Sequence, residues 1–153
     1  MKISKKGEYA LKALIELAIN YAKGTTVTLN SDIAERENIP PKYLEQILRN
    51  LKNAGILVSR RGVGGGYSLT RPPERISLGE IIRVVEGPLA PLNCVSRTAH
   101  VNCPDESFCG LYSVMLDVRN AISNIVDNIS LRDIARRTTE LIEKKEYILS
   151  YAI

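Results

Sequence analysis

The sequence predicts a mostly α-helical chain with one small β-hairpin, and three observations carry that expectation. Apolar residues recur at three and four positions along most of the chain, the spacing that lines one face of a helix. Only around Gly62–Gly66 does this give way to two short apolar runs flanking a cluster of glycines, the pattern of a hairpin. Finally, the stretch Leu92–Tyr112 has no apolar period, is bounded by Pro91 and contains Pro104 and Gly110, and reads as a loop. It holds all three cysteines and the single histidine of the chain.

In chain order, Tyr9, Ala10, Ala13, Leu14, Leu17, Ala18 and Tyr21 define a first helix, with Ser4 placed to cap it and Gly24 to end it. Leu29 to Glu37, behind Thr28, is a short helical pattern with Ile33 and Ala34 facing inward, broken at Asn38-Ile39-Pro40. A third helix starts at Pro40-Pro41, where proline removes only amides that have no internal partner, and runs from Lys42 to Ala54. Leu44, Ile47, Leu48 and Leu51 form its inner face. Lys42, Glu45, Gln46, Arg49, Asn50 and Lys52 are left outside as a hydrogen-bonding surface. Two short helices joined by a tight turn, the second carrying such a face, are the pattern of a helix-turn-helix.

Ile56–Arg61 and Gly66–Thr70 read as the two strands of the hairpin. Its tip is nearly free of side chains and its base carries Arg60 and Arg61, a wing suited to contact a phosphate backbone or a minor groove. A phosphate-cradling nucleotide loop would need a helix after the glycines, whereas here a strand follows. A plain structural turn is the alternative. Ser77 and Glu80 form a capping-box pattern opening a short helix through Val85, which Gly87-Pro88 stops. Beyond the cysteine loop, Leu111, Val114, Met115, Val118, Ile122, Ile125 and Ile129 make the strongest apolar stripe in the chain. Ser130 and Asp133 form a second capping box, starting a last helix with Leu131, Ile134, Ala135, Leu141 and Ile142 inside. The stripe fits packing within the chain or, more sharply, pairing with a second copy in a two-fold dimer.

The 153 residues, 44% hydrophobic, suffice for one or two small domains with a real core. A net charge of +4 is unevenly spread: residues 1–83 carry 14 Lys and Arg against 8 Asp and Glu, the remaining 70 residues 7 against 9. A basic half followed by a slightly acidic one suggests a nucleic-acid-binding unit joined to a unit with another task. Lys12 and Glu16 interrupt the apolar pattern behind the N-terminus, which argues against a signal peptide or membrane span, so the expected location is the cytoplasm. There an odd number of cysteines stays reduced. One histidine, no tryptophan and no base placed beside a cysteine argue against an enzyme.

The opening Met1–Ala10, the run Tyr43-Leu44-Glu45-Gln46, the wing Arg61–Tyr67 and the segment Val85-Glu86-Gly87, in this order and spacing, resemble the family of bacterial regulators that includes IscR, NsrR, RirA and CymR. The resemblance covers nearly the whole chain. It implies a winged helix-turn-helix over residues 1–87, a cluster-binding loop over 88–110 and a dimerisation helix with a C-terminal helix over 111–153. It implies a homodimeric regulator, a repressor, reading a palindromic promoter site in double-stranded DNA through Lys42, Tyr43, Glu45, Gln46 and Arg49, and through the wing residues Arg60, Arg61, Gly62, Gly64 and Gly65. In cluster-binding members three cysteines before the dimerisation helix hold an iron–sulfur cluster, and Cys94, Cys103 and Cys109 occupy that place. Other members lack these cysteines and respond through a partner enzyme, and the tail from Glu146 onward is similar to theirs.

Thiolates are the ligands that iron–sulfur clusters prefer, and three of them leave one position open. The expected cluster is 2Fe–2S rather than 4Fe–4S. The IscR pattern has a histidine three residues after the last cysteine, where this chain has Tyr112. In other members an acidic residue near the start of the first helix, from the opposite subunit, completes the site, and Glu8 matches it. Glu8 is therefore the first candidate and His100 the second, with Asp105 or Glu106 behind. Glu8 also suits the first turn of a helix as a plain charge, and His100 suits a solvated loop. A thiol redox switch, inert thiols with sensing through a protein partner, and an iron–sulfur electron carrier or cluster-delivery protein are the competing functions.

Overall fold

The structure, a computed structural model, describes residues 2–152. Among them the order is α1 (Lys5–Ala22), α2 (Asn30–Glu37), α3 (Pro41–Asn53), β1 (Leu57–Arg60), β2 (Gly66–Leu69), α4 (Leu78–Glu86), α5 (Gly110–Asp127) and α6 (Leu131–Tyr151). The strands pair antiparallel, Leu57 opposite Leu69 and Arg60 opposite Gly66. The mostly helical expectation with a hairpin wing holds.

Local chemistry explains most boundaries. Ser4 caps α1, its Oγ accepting from the Gly7 amide at 3.1 Å. The same serine donates its amide and its hydroxyl to Glu86 Oε1, at 3.0 and 2.6 Å, so the start of α1 is held against the last residue of α4. Asn38 ends α2 in the left-handed conformation, at φ 51°, and Pro41 opens α3. Thr28 does not lead α2 through its side chain. It pairs with Tyr67 through two 2.9 Å backbone hydrogen bonds, so the chain before α2 extends the hairpin by one rung. A Cβ on Gly66 would lie 2.2 Å from the Thr28 carbonyl oxygen, which makes glycine a requirement of that rung.

The core gathers Ala10, Leu14 and Leu17 of α1, Ile33 of α2, the four inner residues of α3, Ile56, Ile76, Ile81 and, from α6, Leu131 and Ala135. Leu44, Leu48 and Leu51 are fully buried. Leu48→Ala is expected to lower unfolding free energy by about 2–5 kcal/mol, the range for a leucine removed from a packed core, measured by urea denaturation. A loss below ~1 kcal/mol would contradict the packing described.

α6 enters this core because its start is tied to that of α4: the Leu78 amide bonds the Ile129 carbonyl and the Leu131 amide the Ile76 carbonyl, both at 2.8 Å. The Ser130–Asp133 capping box is complete. The one expected at Ser77 is only half formed, because Glu80 turns its carboxylate to Arg71 instead. Leu141 and Ile142, expected inside, are 68% and 49% exposed. α6 outruns the core of its own subunit, and among the described residues nothing covers its apolar face beyond Thr139.

α5 docks by one flank only. Val126 packs with Ile82 and Leu89, with Ile122 partly buried beside them, while Leu111, Val114 and Ile125 are more than half exposed. A fork-shaped ion pair joins α5 to α4: the two terminal nitrogens of Arg83 meet the two Asp127 oxygens at 2.6 and 2.9 Å. Gly79 makes room for it, since a Cβ there would sit 2.0 Å from Asp127 Oδ1. The Arg83 hydrogen bonds, opposed by slight burial and aided by the charge of Arg83 and Arg97, hold the Asp127 carboxyl below its ordinary 3.8. A depressed carboxyl contributes stability that is present above its unfolded value and is lost as pH falls through the folded value. The melting-temperature advantage of wild type over Asp127→Asn should therefore be constant above about pH 5 and shrink below about pH 4. An advantage that survives to about pH 2 would refute the assignment.

Candidate functional site

α3 presents Lys42, Tyr43, Glu45, Gln46 and Arg49 to solvent, as its periodicity requires once Leu44, Ile47, Leu48 and Leu51 point inward. Tyr43 is braced edge-on by Tyr9 of α1, ring centres 5.7 Å apart, and the Lys5 ammonium lies 5.0 Å from the centre of the Tyr9 ring. Glu45 and Arg49, one turn apart, are paired at 2.9 Å, so Arg49 reaches a phosphate only by leaving that carboxylate. Arg60 and Arg61 are exposed at the base of the wing and form no ion pair among the described residues. Gly62 and Gly64 adopt φ 97° and 74°, and Val63 between them is fully exposed at the tip. All ten residues expected to touch DNA thus lie on α3 or the wing, outside the core.

Behind this face is a buried polar cluster that the periodicity did not reveal. Asn20 donates to Glu16 and to Thr28, each at 3.1 Å, and Arg36 of α2 pairs with Glu16. It locks α1 to α2 and to the extra rung of the wing. Burial, with the nearby Glu16 charge, raises the carboxyl of Glu37 above its ordinary value. An Asn with Thr eight residues on, across a predicted helix end, was the only sequence hint.

The cysteine segment is irregular apart from two single 3-10 turns, Asn93–Val95 and Glu106–Phe108. Cys94, Cys103 and Cys109 are all free and all partly buried. Cys109 stands at the N-cap of α5, where its sulfur accepts the Tyr112 amide at 3.3 Å, at the positive end of the helix dipole. Tyr112 therefore contributes its backbone here. Glu106 organises the middle: one oxygen accepts from the Cys103 amide at 3.1 Å and lies 3.0 Å from His100 Nε2. His100 is thus engaged by a carboxylate. Glu8 is half-buried on α1, bound by Lys5 at 2.9 Å and Lys12 at 3.3 Å, and these hydrogen bonds, Lys5 first, hold its carboxyl below the ordinary value.

Among the described residues no three Cys, His, Asp or Glu side chains lie close enough together to share a metal ion. The donor set nevertheless suits an iron–sulfur cluster in kind, being three unpaired thiols on one segment, one of them at a helix N-terminus.

No helix among the described residues is long and apolar enough to cross a membrane. The profile of the Rrf2 family, described as iron-dependent transcriptional regulator, matches residues 3–137. The HTH-type transcriptional regulator CymR of Bacillus subtilis is 38% identical over 138 residues, which cover 90% of this chain and 92% of CymR. Its solved structure, described as that of the global cysteine regulator of B. subtilis, is similar with a TM-score of 0.72 at 36% identity, over 90% of this chain and 98% of the other. T. potens IscR gives a TM-score of 0.72 at 33% identity, over 92% and 90%. These relatives are named as regulators rather than enzymes. Together with the exposed α3 face and glycine wing, they show that this chain belongs to the Rrf2 family of winged-helix transcriptional regulators.

Proposed function

We propose that the protein is a homodimeric repressor that reads a palindromic promoter site and changes its grip on DNA with the state of Cys94, Cys103 and Cys109. One observation carries this reading: every cysteine lies on the single segment that joins the DNA-binding unit, residues 1–87, to the two helices of residues 111–153, the first of which carries the apolar stripe. An iron–sulfur cluster, 2Fe–2S by preference, supplies redox and nitric-oxide sensitivity when bound. The three cysteines would hold it, with Glu8 of the opposite subunit first, and His100 second, for the open position. Glu8 would have to exchange Lys5 and Lys12 for that role, and His100 would have to exchange Glu106. A carboxylate is a harder and weaker ligand than a fourth thiolate, which suits a site that must lose its cluster readily.

Anaerobic purification followed by visible and Mössbauer spectra, with iron and sulfide content, tests the reading; Glu8→Ala and His100→Ala assign the open position. A colourless, iron-free protein after anaerobic reconstitution would sink the cluster and leave the DNA function standing. On the DNA side, Gln46→Ala is expected to cost about 1–3 kcal/mol on the cognate site and little on random sequence, as for a base-reading residue. Arg61→Ala should weaken all sequences alike and lower the salt slope by about one. Equal losses on cognate and random DNA for Gln46→Ala would remove it from the reading face.

The CymR likeness favours a second reading in which the thiols carry no cluster and control passes through a partner enzyme of cysteine metabolism. Stoichiometric recovery of such a protein with the tagged regulator from cell extract would support it.

A further inference from the structure

One recess of the molecule belongs to neither the DNA face nor the three cysteines. It lies where α4, the start of the cysteine segment and α5 meet, walled by residues 88–90 and lined by Arg83, Ser96, Arg97, Thr98, Arg119 and Ser123. Arg83 and Arg119 line it, and Arg97, exposed, stands at its mouth. One carboxylate, Asp127, answers them, and both its oxygens are taken by Arg83. Arg97 and Arg119 form no ion pair among the described residues, although Arg97 is close enough for its charge to act on Asp127. The Nε of Arg119 is buried and has no acceptor. A buried charged donor without an acceptor is costly, and native proteins rarely leave one so.

The remaining lining groups are also donors. Ser96 is 5% exposed and its Oγ accepts from the Ala99 amide at 3.0 Å, which leaves its own hydrogen free to donate. Thr98 and Ser123 add hydroxyls. The interior space is about 20 Å³ and opens to solvent at the mouth, so it can seat one oxygen of a small group whose remaining atoms stay at the mouth, and it is far too small for a nucleotide or an aromatic ring. A water there would accept from Arg119 but would bring no negative charge to its guanidinium.

We propose that this recess binds a small, multiply charged oxyanion of the phosphate or sulfate type, one oxygen seated against Arg119 Nε and the others held by Arg97 and the hydroxyls at the mouth. Planar guanidinium forks and hydroxyls are the groups that recognise such oxygens. The anion ties Ser96–Thr98, two residues beyond Cys94, to α5, and so sets the resting position of the cysteine segment. It does not depend on the presence of a cluster.

The test uses the full chain without DNA, with inorganic phosphate against chloride at equal ionic strength. Calorimetric titration should show one phosphate per subunit, and the melting temperature should rise by about 3 °C at ten times the dissociation constant. Arg97→Gln and Arg119→Gln should each weaken phosphate binding at least tenfold, about 1.4 kcal/mol. Ser123→Asp places a carboxylate at the mouth and should raise the melting temperature in chloride while abolishing the phosphate response. General salting-out stabilisation is common to all variants, so only differences between them count. Equal phosphate responses in wild type, Arg97→Gln and Ser123→Asp would overturn the proposal, and those two variants decide it even where Arg119→Gln does not fold.

Discussion

Val118→Glu combined with Ile125→Glu is expected to turn the protein into a folded monomer that binds its promoter site about a hundredfold or more weakly. Both positions lie on the outer stripe of α5, 38% and 61% exposed, and neither belongs to the buried clusters of the subunit. The subunit itself should therefore keep its fold. Burying an aliphatic side chain is worth roughly 1.5–3 kcal/mol, and a two-fold interface counts each position twice. Glutamates would also face their own copies across the axis. A palindrome read by two recognition helices draws its affinity from both half-sites, and linked sites commonly gain 10²–10⁴ over one alone, about the loss foreseen. Light scattering coupled to size exclusion measures the mass, and fluorescence anisotropy the affinity. A variant that stays dimeric would place the contact elsewhere, with the exposed end of α6 as the next candidate, and a wild type that is already a monomer would overturn the dimer.

For the cluster proposed above, Cys103→Ser is the second large effect: loss of the visible chromophore, at least tenfold less bound iron, and DNA affinity that no longer responds to oxygen or nitric oxide. Serine offers a hard hydroxyl where the cluster requires a soft thiolate. The fold has no reason to change, since it is the amide of residue 103, not its thiol, that Glu106 holds. Cys109→Ser makes a useful companion, because serine is itself a good N-cap and should preserve α5 while removing the ligand. Full chromophore and unchanged gas response in either variant would detach the cysteines from sensing.

Much of this architecture was legible because it is local. The 3–4 spacing of Leu44, Ile47, Leu48 and Leu51 decided both the inner and the reading face of α3, and Asn38 to Pro41 marked the turn before it. Ser130 with Asp133 announced α6. What failed was long-range. Leu141 and Ile142 belong to a genuine apolar stripe, but a stripe says which face avoids water and not which neighbour covers it. Glu80 matched a capping box, yet Arg71 across the turn is a stronger partner for a carboxylate than a backbone amide. The cysteines pointed to their segment as the sensor, whereas Glu106 as the group that organises it emerges only when the loop is folded back on itself. The Arg83–Asp127 fork, spanning 44 positions, left no trace in any local pattern.

That fork also governs how the segment between its ends is free to vary. Arg83 and Asp127 close a ring whose base is fixed, and the entropy of closing such a ring grows only with the logarithm of its length, about 0.6 kcal/mol for each doubling. Lengthening the chain within the exposed stretch of residues 97–102 is therefore inexpensive, whereas the buried Leu89, Val95 and Ser96 fix the start of the segment. A substitution of Gly79, Arg83 or Asp127 would instead remove one of the ties between α4 and α5, leaving the Leu78–Ile129 backbone bond and the packing of Val126 on Ile82 and Leu89 to hold the long helix.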